Sequence, residues 1–427
     1  MNKLLIKNGR VVDPSSNTNK NLDILIENGI VKKVRKKITR VTKSTKVLDA
    51  KGCIVSPGLI DAHTHLRDPG YEDKEDIYSG TAAAVKGGFT TVLCMPNTEP
   101  VLDSVSSIRY VVEKGKESFC KVYPIGAITK NLEGKELAET GRMMMEGIVA
   151  VSDDGNCIQN SAIMRNALEY LKMFNLKLIE HAEDYNLSKG GQVNEGYVST
   201  ALGLPGIPSI SETVIVARDI LLSEYFDAPV HFAHISSKRT LEIIKTAKKK
   251  KLKITCEVTP HHLIFNENDI MGFDSNLKMK PPLRTEADRR ALEAGFKDGV
   301  IDILATDHAP HRIDEKEREF SLAPFGVVGL ETALSAMVKY FIKTKKMTWM
   351  EIIDRMSTRP AELFDLEGGS LMEGAPADVT VIHPGCKWVV NTETLIGKSK
   401  NSPFLNMELE GCVLWTIVDG NIVYGQE

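Results

Sequence analysis

The sequence lacks the features of membrane, secreted and nucleic-acid-binding proteins. Its 54 basic residues are balanced by 57 acidic ones, giving a formal net charge of -3, so no basic excess indicates nucleic acid or an anionic membrane surface as a partner. The four lysines at 248–251 fit a solvated helix C-terminus better than a nucleic-acid patch. At the N-terminus, polar residues at 7–10 cut the apolar run short of a signal peptide or a spanning helix. We therefore expect a soluble, cytoplasmic protein.

Cysteine pairs are also missing. The 7 cysteines are scattered, and none forms a CxxC pair. An odd, unpaired set predicts neither a disulfide framework nor a thiolate zinc site. The 10 histidines are the more informative count.

The chain of 427 residues is long enough for one large α/β domain and an attached module. Both ends of the chain show short strand patterns, which at the N-terminal end are separated by turns such as Asn8-Gly9 and Asn28-Gly29. Neither end has enough strands to form a hydrophobic core by itself. We expect both ends, residues 1–54 and 370–427, to pair into one small β-sandwich domain. Residues 55–369 are predicted to form the second domain.

Apolar strand patterns alternate with helical patterns through the middle of the chain. This rhythm predicts a parallel (β/α)8 barrel of the TIM type. The predicted barrel strands are 54–60, 91–95, 121–125, 147–151, 177–179, 230–233, 253–258 and 301–305. Helical patterns include 76–87, 161–174, 211–225, 241–251, 286–295 and 329–343.

Histidine and aspartate residues follow five of these strands. Strand carboxyl ends converge on one face of such a barrel, where active sites lie. Alternation puts His63 and His65 on the same side of the first strand, about 6 to 7 Å apart. The other candidates are Asp153 or Asp154, His181, His234 and Asp307.

A single histidine or aspartate after a strand is more often structural, or a helix cap, than a metal ligand. Because five strands carry such residues at the same face, we interpret these residues as metal ligands. Nitrogen and oxygen donors suit Zn²⁺ and also Mn²⁺, Co²⁺ or Fe²⁺. Six ligands are too many for one tetrahedral ion with an open position and fit two ions joined by a carboxylate and a hydroxide. Hydrolysis of a carbonyl or phosphoryl compound is the expected chemistry.

The remaining histidines are less informative. His231 and His383 are expected to be structural, and His308 to face away from the metals. For His261 and His262, the sequence does not decide between a structural role and a role in supporting the site from behind. His311 lies in a loop over the site.

Eight short motifs resemble those of the dihydroorotases of the amidohydrolase superfamily, in their longer bacterial form. The resemblance extends from the first β segment to residues 374–378. Its combination of HxHxRDPG, PNT and TDHAPH separates dihydroorotases from hydantoinases and allantoinases. The motifs are DAHTHLRDPG at 61–70, MPNT at 95–98, SDDG at 152–155, EHAE at 180–183, AHIS at 233–236, PPLR at 281–284, TDHAPH at 306–311 and PFG at 324–326.

The resemblance implies reversible hydrolysis of (S)-dihydroorotate to N-carbamoyl-L-aspartate, whose reversal is the third step of de novo pyrimidine (UMP) synthesis. It implies two zinc ions, the first held by His63, His65 and Asp307 and the second by His181 and His234. It assigns the bridge to Asp154, with Asp153 as the alternative, and proton transfer to Asp307. A carboxylated lysine bridge is excluded, because residues 148–157 contain no lysine.

The same resemblance implies the substrate contacts. Arg67 would bind the substrate carboxylate, with Asn97 and His311 beside it, because a planar guanidinium suits a carboxylate. Contacts from His65 and from the backbone of Phe325 and Gly326 are also implied. Lys280 stands where the family commonly has asparagine, and it either adds to carboxylate binding or points to solvent.

Two alternatives remain open at this point. One is another cyclic amidase, a hydantoinase or allantoinase, against which the Arg67-Asp68-Pro69 segment argues. The other is a non-catalytic scaffold subunit for an aspartate transcarbamoylase, although no ligand is lost here. The resemblance further implies a homodimer and a possible association with aspartate transcarbamoylase. The sequence does not predict how the charged loop at 310–324 moves over the substrate.

Overall fold

Two sheets and the helices around them make up the structure, a computed structural model that describes residues 3–39 and 42–425. In chain order the strands are β1 Lys3–Asp13, β2 Thr18–Glu27, β3 Ile30–Arg35, β4 Lys46–Asp49, β5 Ile54–Pro57, β6 Leu59–Thr64, β7 Phe89–Cys94, β8 Lys121–Gly126, β9 Ala150–Ser152, β10 Lys177–Glu180, β11 Val193–Asn194, β12 Gly206–Ile207, β13 Val230–Phe232, β14 Ile254–Val258, β15 Ile303–Leu304, β16 Val379–Val389, β17 Glu408–Val418 and β18 Asn421–Gly425.

The α-helices pack mainly outside the barrel. They are α1 Ile77–Lys86, α2 Val105–Gly115, α3 Thr140–Met145, α4 Ser161–Lys172, α5 Tyr185–Ser188, α6 Tyr197–Leu202, α7 Ile210–Phe226, α8 Lys238–Lys249, α9 Pro260–Ile264, α10 Glu286–Lys297, α11 Ile313–Lys316, α12 Ala333–Met337, α13 Trp349–Ile353 and α14 Arg359–Phe364. Short 3₁₀ helices lie at Lys130–Leu132, Glu267–Gly272 and Ser275–Leu277, and π-helical turns at Val338–Ile342 and Asp354–Thr358. Among the described residues, no helix is both long and apolar enough to span a bilayer.

Eight parallel strands form the barrel, in the order β15-β14-β13-β10-β9-β8-β7-β6. The two outermost strands approach each other through the loop after β15, where the His65 amide donates to the His308 carbonyl oxygen at 2.8 Å. All eight predicted barrel strands are present. The first differs from its prediction, because residues 54–57 pair with β1 and β16 and only β6 enters the barrel.

Both chain ends contribute to the second sheet, in the order β18-β17-β16-β5-β1-β2-β3, with β4 also paired to β1. Its core mixes side chains from the two ends, including Ile24, Val55, Val381 and Ile417. The Asn28-Gly29 turn is found as predicted, between paired Glu27 and Ile30. At Asn8-Gly9 the turn prediction is wrong, because Asn8 makes a bulge within the single strand β1.

The predicted fold class, a (β/α)8 barrel with a small β domain from both chain ends, is confirmed. The strands expected to form a β-sandwich are connected in one eight-stranded sheet. The domain boundaries stay a prediction, and residues 1, 2, 40, 41, 426 and 427 of the predicted terminal domain lie outside the described residues.

One cysteine expectation is wrong. Cys386 and Cys412 form a disulfide, with Cα atoms 5.5 Å apart. Their separation of 26 residues gives no motif, and only the antiparallel pairing of β16 with β17 brings them together. The other five cysteines are buried and free.

Candidate active site

The first group of candidate ligands lies where β6 and β15 end. His63 is fully buried, and His65 is 6% exposed. The Nε2 atoms of His63 and His65 lie 3.5 Å and 3.1 Å from Oδ1 of Asp307. The loop after β15 turns sharply there, since Asp307 has a φ of 50°. Strand alternation thus places two imidazoles and one carboxylate within reach of a single ion.

The second group follows β10 and β13. Nδ1 of His181 lies 3.0 Å from Nε2 of His234. Oδ1 of Asp154 is 3.6 Å from the first of these atoms and 3.8 Å from the second. The same carboxylate also reaches the first group, with Oδ1 3.4 Å from His63 Nε2 and Oδ2 3.5 Å from His65 Nε2. Asp154 therefore lies between the two groups.

Asp153 faces the other way. Its Oδ1 accepts hydrogen bonds from the amides of Ile128 and Thr129, both at 2.9 Å, and its Oδ2 accepts one from the Thr129 hydroxyl. These bonds hold the loop after β8. Of the two aspartates left open by the sequence, Asp154 is the one among the histidines.

The chemistry of this donor set fits metal ions. His63 Nε2 and Asp154 Oδ1 are buried and make no hydrogen bond among the described residues, and such atoms are costly unless a ligand satisfies them. Metal ligands bind in their deprotonated form, so Asp154 and Asp307 would serve as carboxylates.

Three of the four histidines have their second ring nitrogen occupied. His63 Nδ1 donates to Glu257 at 2.7 Å, His65 Nδ1 to the Asn97 amide oxygen at 2.8 Å, and His181 Nε2 to Glu183 at 3.3 Å. Such partners fix the tautomer and leave the other nitrogen free for a metal.

The sequence interpretation missed Glu257. It lies on β14, fully buried, and its second oxygen accepts from His231 Nε2 at 3.1 Å. Nδ1 of His231 in turn bonds to the Thr255 hydroxyl at 2.9 Å. His231 is therefore a structural residue that supports Glu257. A charged residue inside an otherwise apolar barrel strand was the signal available in the sequence.

Arg67 and His311 meet at the wall of the cavity. The Arg67 guanidinium lies 3.4 Å from His311 Nε2 and donates to the Pro310 carbonyl at 3.2 Å. His311 Nε2 donates to the Phe325 carbonyl at 2.8 Å. Burial, and then the charge of Arg67, lowers the pKa of His311 to about 2, so the imidazole is neutral. The charged guanidinium of Arg67 thus faces the cavity beside the neutral imidazole of His311.

Lys280 lines the cavity and pairs there with an acidic side chain. Its Nζ lies 2.9 Å from Oε2 of Glu183, the carboxylate that also accepts from His181. Although burial raises it, the pKa of Glu183 is lowered to about 2 by the His181 hydrogen bond and the two neighbouring charges. The lysine charge is therefore compensated at the cavity wall.

The other histidines lie outside the ligand groups. His262 bonds to the Thr259 hydroxyl at 2.8 Å and to the Pro281 carbonyl at 2.9 Å, while Nδ1 of His308 accepts from the Gly329 amide at 3.2 Å. His261 is buried, which lowers its pKa to about 4. His383 is exposed on β16.

A cavity of about 220 Å³ opens above these groups. All seven predicted substrate contacts line it: His65, Arg67, Asn97, Lys280, His311, Phe325 and Gly326. Asp154, His181, His234 and Asp307 line it as well. His63 lies deeper, beneath the cavity floor.

Comparisons with known proteins agree with this architecture. A dihydro-orotase-like family model matches residues 52–240. Among solved structures, the L-hydantoinase (dihydropyrimidinase) from Arthrobacter aurescens has a TM-score of 0.88 at 24% identity, covering 100% of this chain and 96% of that one. The dihydropyrimidinase from Brevibacillus agri NCHU1002 has a TM-score of 0.86 at 22% identity, covering 99% and 95%. At these identities the likeness supports the barrel fold alone.

Sequence relatives are more specific. The chain is 47% identical to the dihydroorotase of Acetivibrio thermocellus over 98% of both chains. It is 48% identical to the dihydroorotase of Geobacter metallireducens over 99% of both. Because relatives this similar match nearly its whole length, the chain belongs to the dihydroorotase family.

Proposed function

We propose that this protein interconverts (S)-dihydroorotate and N-carbamoyl-L-aspartate, the ring closure of pyrimidine biosynthesis, at a site that holds two zinc ions. The observation that carries the proposal is the convergence of four histidines and two aspartates from five strand ends on one small cavity that also contains Arg67. Membership of the dihydroorotase family supports the same reaction.

The proposed division of the ligands follows the family resemblance. His63, His65 and Asp307 would hold one ion, His181 and His234 the other, and Asp154 both. When bound, such ions lower the pKa of water and polarise the amide carbonyl. Nitrogen and oxygen donors alone do not distinguish zinc from manganese, cobalt or iron, so the choice of zinc rests on the family resemblance.

The protein's own groups orient the substrate and move the proton. Arg67 would bind the substrate carboxylate with His311 beside it, and the backbone of Phe325 and Gly326 would contact the ring amide. In the hydrolytic direction, Asp307 accepts the proton of the attacking water as the C–O bond forms. It then delivers that proton to the ring nitrogen as the C–N bond breaks.

The geometry favours this reaction over the two alternatives. A hydantoin carries no carboxylate to occupy the Arg67 side of the cavity. A non-catalytic scaffold would not need the six candidate ligands to converge with their ring tautomers fixed. A homodimer and a possible association with aspartate transcarbamoylase remain predictions from the resemblance, and a cytoplasmic location remains a prediction from the composition.

The test is a side-by-side assay of the purified protein on dihydroorotate, hydantoin and allantoin. We expect turnover of dihydroorotate and, in reverse, of N-carbamoyl-L-aspartate, with kcat/KM at least about 100-fold above that for the other two, the size of effect that a lost charged contact produces. Equal or higher activity on hydantoin would overturn the proposal.

A further inference from the structure

Two lysines are buried beside the cavity without a carboxylate to bind. Lys278 is 2% exposed and Lys316 is 4% exposed. Buried lysines are rare unless paired with an acid, because desolvating an ammonium is costly. The hydrogen bonds of both amino groups go instead to backbone carbonyl oxygens.

Nearly all of these carbonyls belong to one irregular segment, residues 320–326, which we call the cavity loop. Nζ of Lys278 donates to Phe320 at 2.6 Å, Ser321 at 3.2 Å and Ala323 at 2.6 Å. Nζ of Lys316 donates to Pro324 at 3.0 Å, Gly326 at 3.0 Å and Lys278 at 3.4 Å. The two lysines together thus bind five of the seven carbonyls of the cavity loop.

The cavity loop ends on the proposed substrate contacts. Phe325 and Gly326 line the cavity, and the Phe325 carbonyl accepts from His311. The Gly326 amide donates to the Lys278 carbonyl at 3.0 Å, so the same lysine holds the loop through its backbone. Gly326 has a φ of 127°, and a Cβ there would lie 2.9 Å from that of Ala309 and 3.1 Å from His311, so the loop is closely seated against the site.

We propose that Lys278 and Lys316 are positioning residues that hold the cavity loop in its substrate-binding conformation. This inference rests on the proposed function for the identity of the substrate. The physical reason is conformational entropy. An irregular loop must be ordered before its backbone can meet a ligand, and an anchor that orders it beforehand lowers the cost of binding. Neither lysine is among the residues that line the cavity, so we expect both to act on binding more than on the chemical step.

The test replaces each lysine by methionine, which keeps the aliphatic packing and removes the donors. We expect Lys278→Met and Lys316→Met each to raise KM for dihydroorotate about tenfold, as expected for a loop that must now be ordered on binding, with kcat within about threefold. Metal content should be unchanged. The matched control is Arg318→Met, two residues before the cavity loop, where the arginine is exposed, and it should leave KM unchanged.

Amide hydrogen exchange tests the loop without substrate. In both methionine variants, exchange at Leu322, Ala323 and Gly326 should become about tenfold faster than in wild type, while the barrel strands keep their protection. Lys316→Gln, which keeps an N–H donor, should fall between wild type and methionine, and it replaces the methionine variant if that does not fold.

Unchanged KM and unchanged loop exchange would overturn the inference. So would a variant in which kcat, metal content and melting temperature all fall together, because that pattern marks a merely structural role. If wild-type protein does not turn over dihydroorotate, the proposed function fails, and loop exchange alone then decides whether the lysines order the loop.

Discussion

At the scale of single residues, Asp307 has two proposed tasks, as a metal ligand and as the carrier of the proton. Asp307→Asn keeps an oxygen donor but cannot accept the proton. We expect kcat to fall by at least about 1,000-fold, within the range of general acid–base catalysis, while metal content stays close to that of wild type. Metal analysis and steady-state kinetics on one preparation measure both. Retained turnover would refute the proton-transfer role.

Glu257 is expected to act on the metal through His63. Glu257→Gln weakens the hydrogen bond that fixes the His63 ring, and loss of such a partner typically lowers metal affinity about 10- to 100-fold. A zinc-binding isotherm on chelated protein measures this. The control is Asp23→Asn, another buried carboxylate, which accepts from the amides of Asn8 and Ile38 in the terminal sheet. Equal affinities in wild type and Glu257→Gln would contradict the role.

Lys280 is expected to matter because it neutralises Glu183. In Lys280→Met the uncompensated carboxylate would repel a carboxylate substrate, so KM should rise about tenfold, equivalent to about 1.4 kcal/mol. The double variant Glu183→Gln/Lys280→Met should recover part of that loss. A double variant no better than the single one would show that the lysine acts by another route.

At the scale of elements, the buried lysine at the end of α11 predicts a pH dependence. Burial, and to a smaller extent the charge of Lys278, lowers the pKa of Lys316 to about 7, although the charges of Asp274 and Glu315 act to raise that pKa. In the unfolded chain this pKa is about 10.4. Between these two pKa values the folded protein binds fewer protons than the unfolded chain. The contribution of Lys316 to the free energy of unfolding therefore increases as the pH rises.

Lys316→Met lacks that titration. The free energy of unfolding of wild type minus that of the variant should therefore be larger at pH 9 than at pH 6, by on the order of 2 kcal/mol. Urea denaturation at the two pH values measures it, with Arg318→Met as the variant expected to show no such change. A difference independent of pH would mean that the lysine is not titrating in the fold.

The candidate ligands were predictable from the sequence because they follow strands, and barrel geometry puts all strand ends on one face. Distinguishing Asp153 from Asp154 needed the structure, since adjacent residues differ only in the direction of their side chains. Lys316 belongs to a charged run at 314–318 that reads as a solvated loop, and its burial depends on contacts distant in sequence. The Cys386–Cys412 bond depends likewise on strand register.

At the scale of the whole molecule, the terminal sheet joins the two ends of the chain to the barrel. Strand β5 pairs with both β1 and β16 and continues almost directly into β6, the first barrel strand. Deletion of residues 1–50 removes β1 to β4 and exposes the apolar side chains of β5 and β16. We expect the truncated protein to aggregate or to lose its cooperative unfolding transition, as judged by size-exclusion chromatography and calorimetry. A monodisperse, fully folded product would contradict the joint terminal domain.

The proposed dihydroorotase site needs two metal ions. The rate of dihydroorotate hydrolysis by chelated protein, measured as zinc is added back in known equivalents, tests this requirement. We expect negligible activity without metal and a rate that saturates near two equivalents per chain. Full activity in the chelated protein, saturation at one equivalent, or no activity at any zinc loading would contradict it.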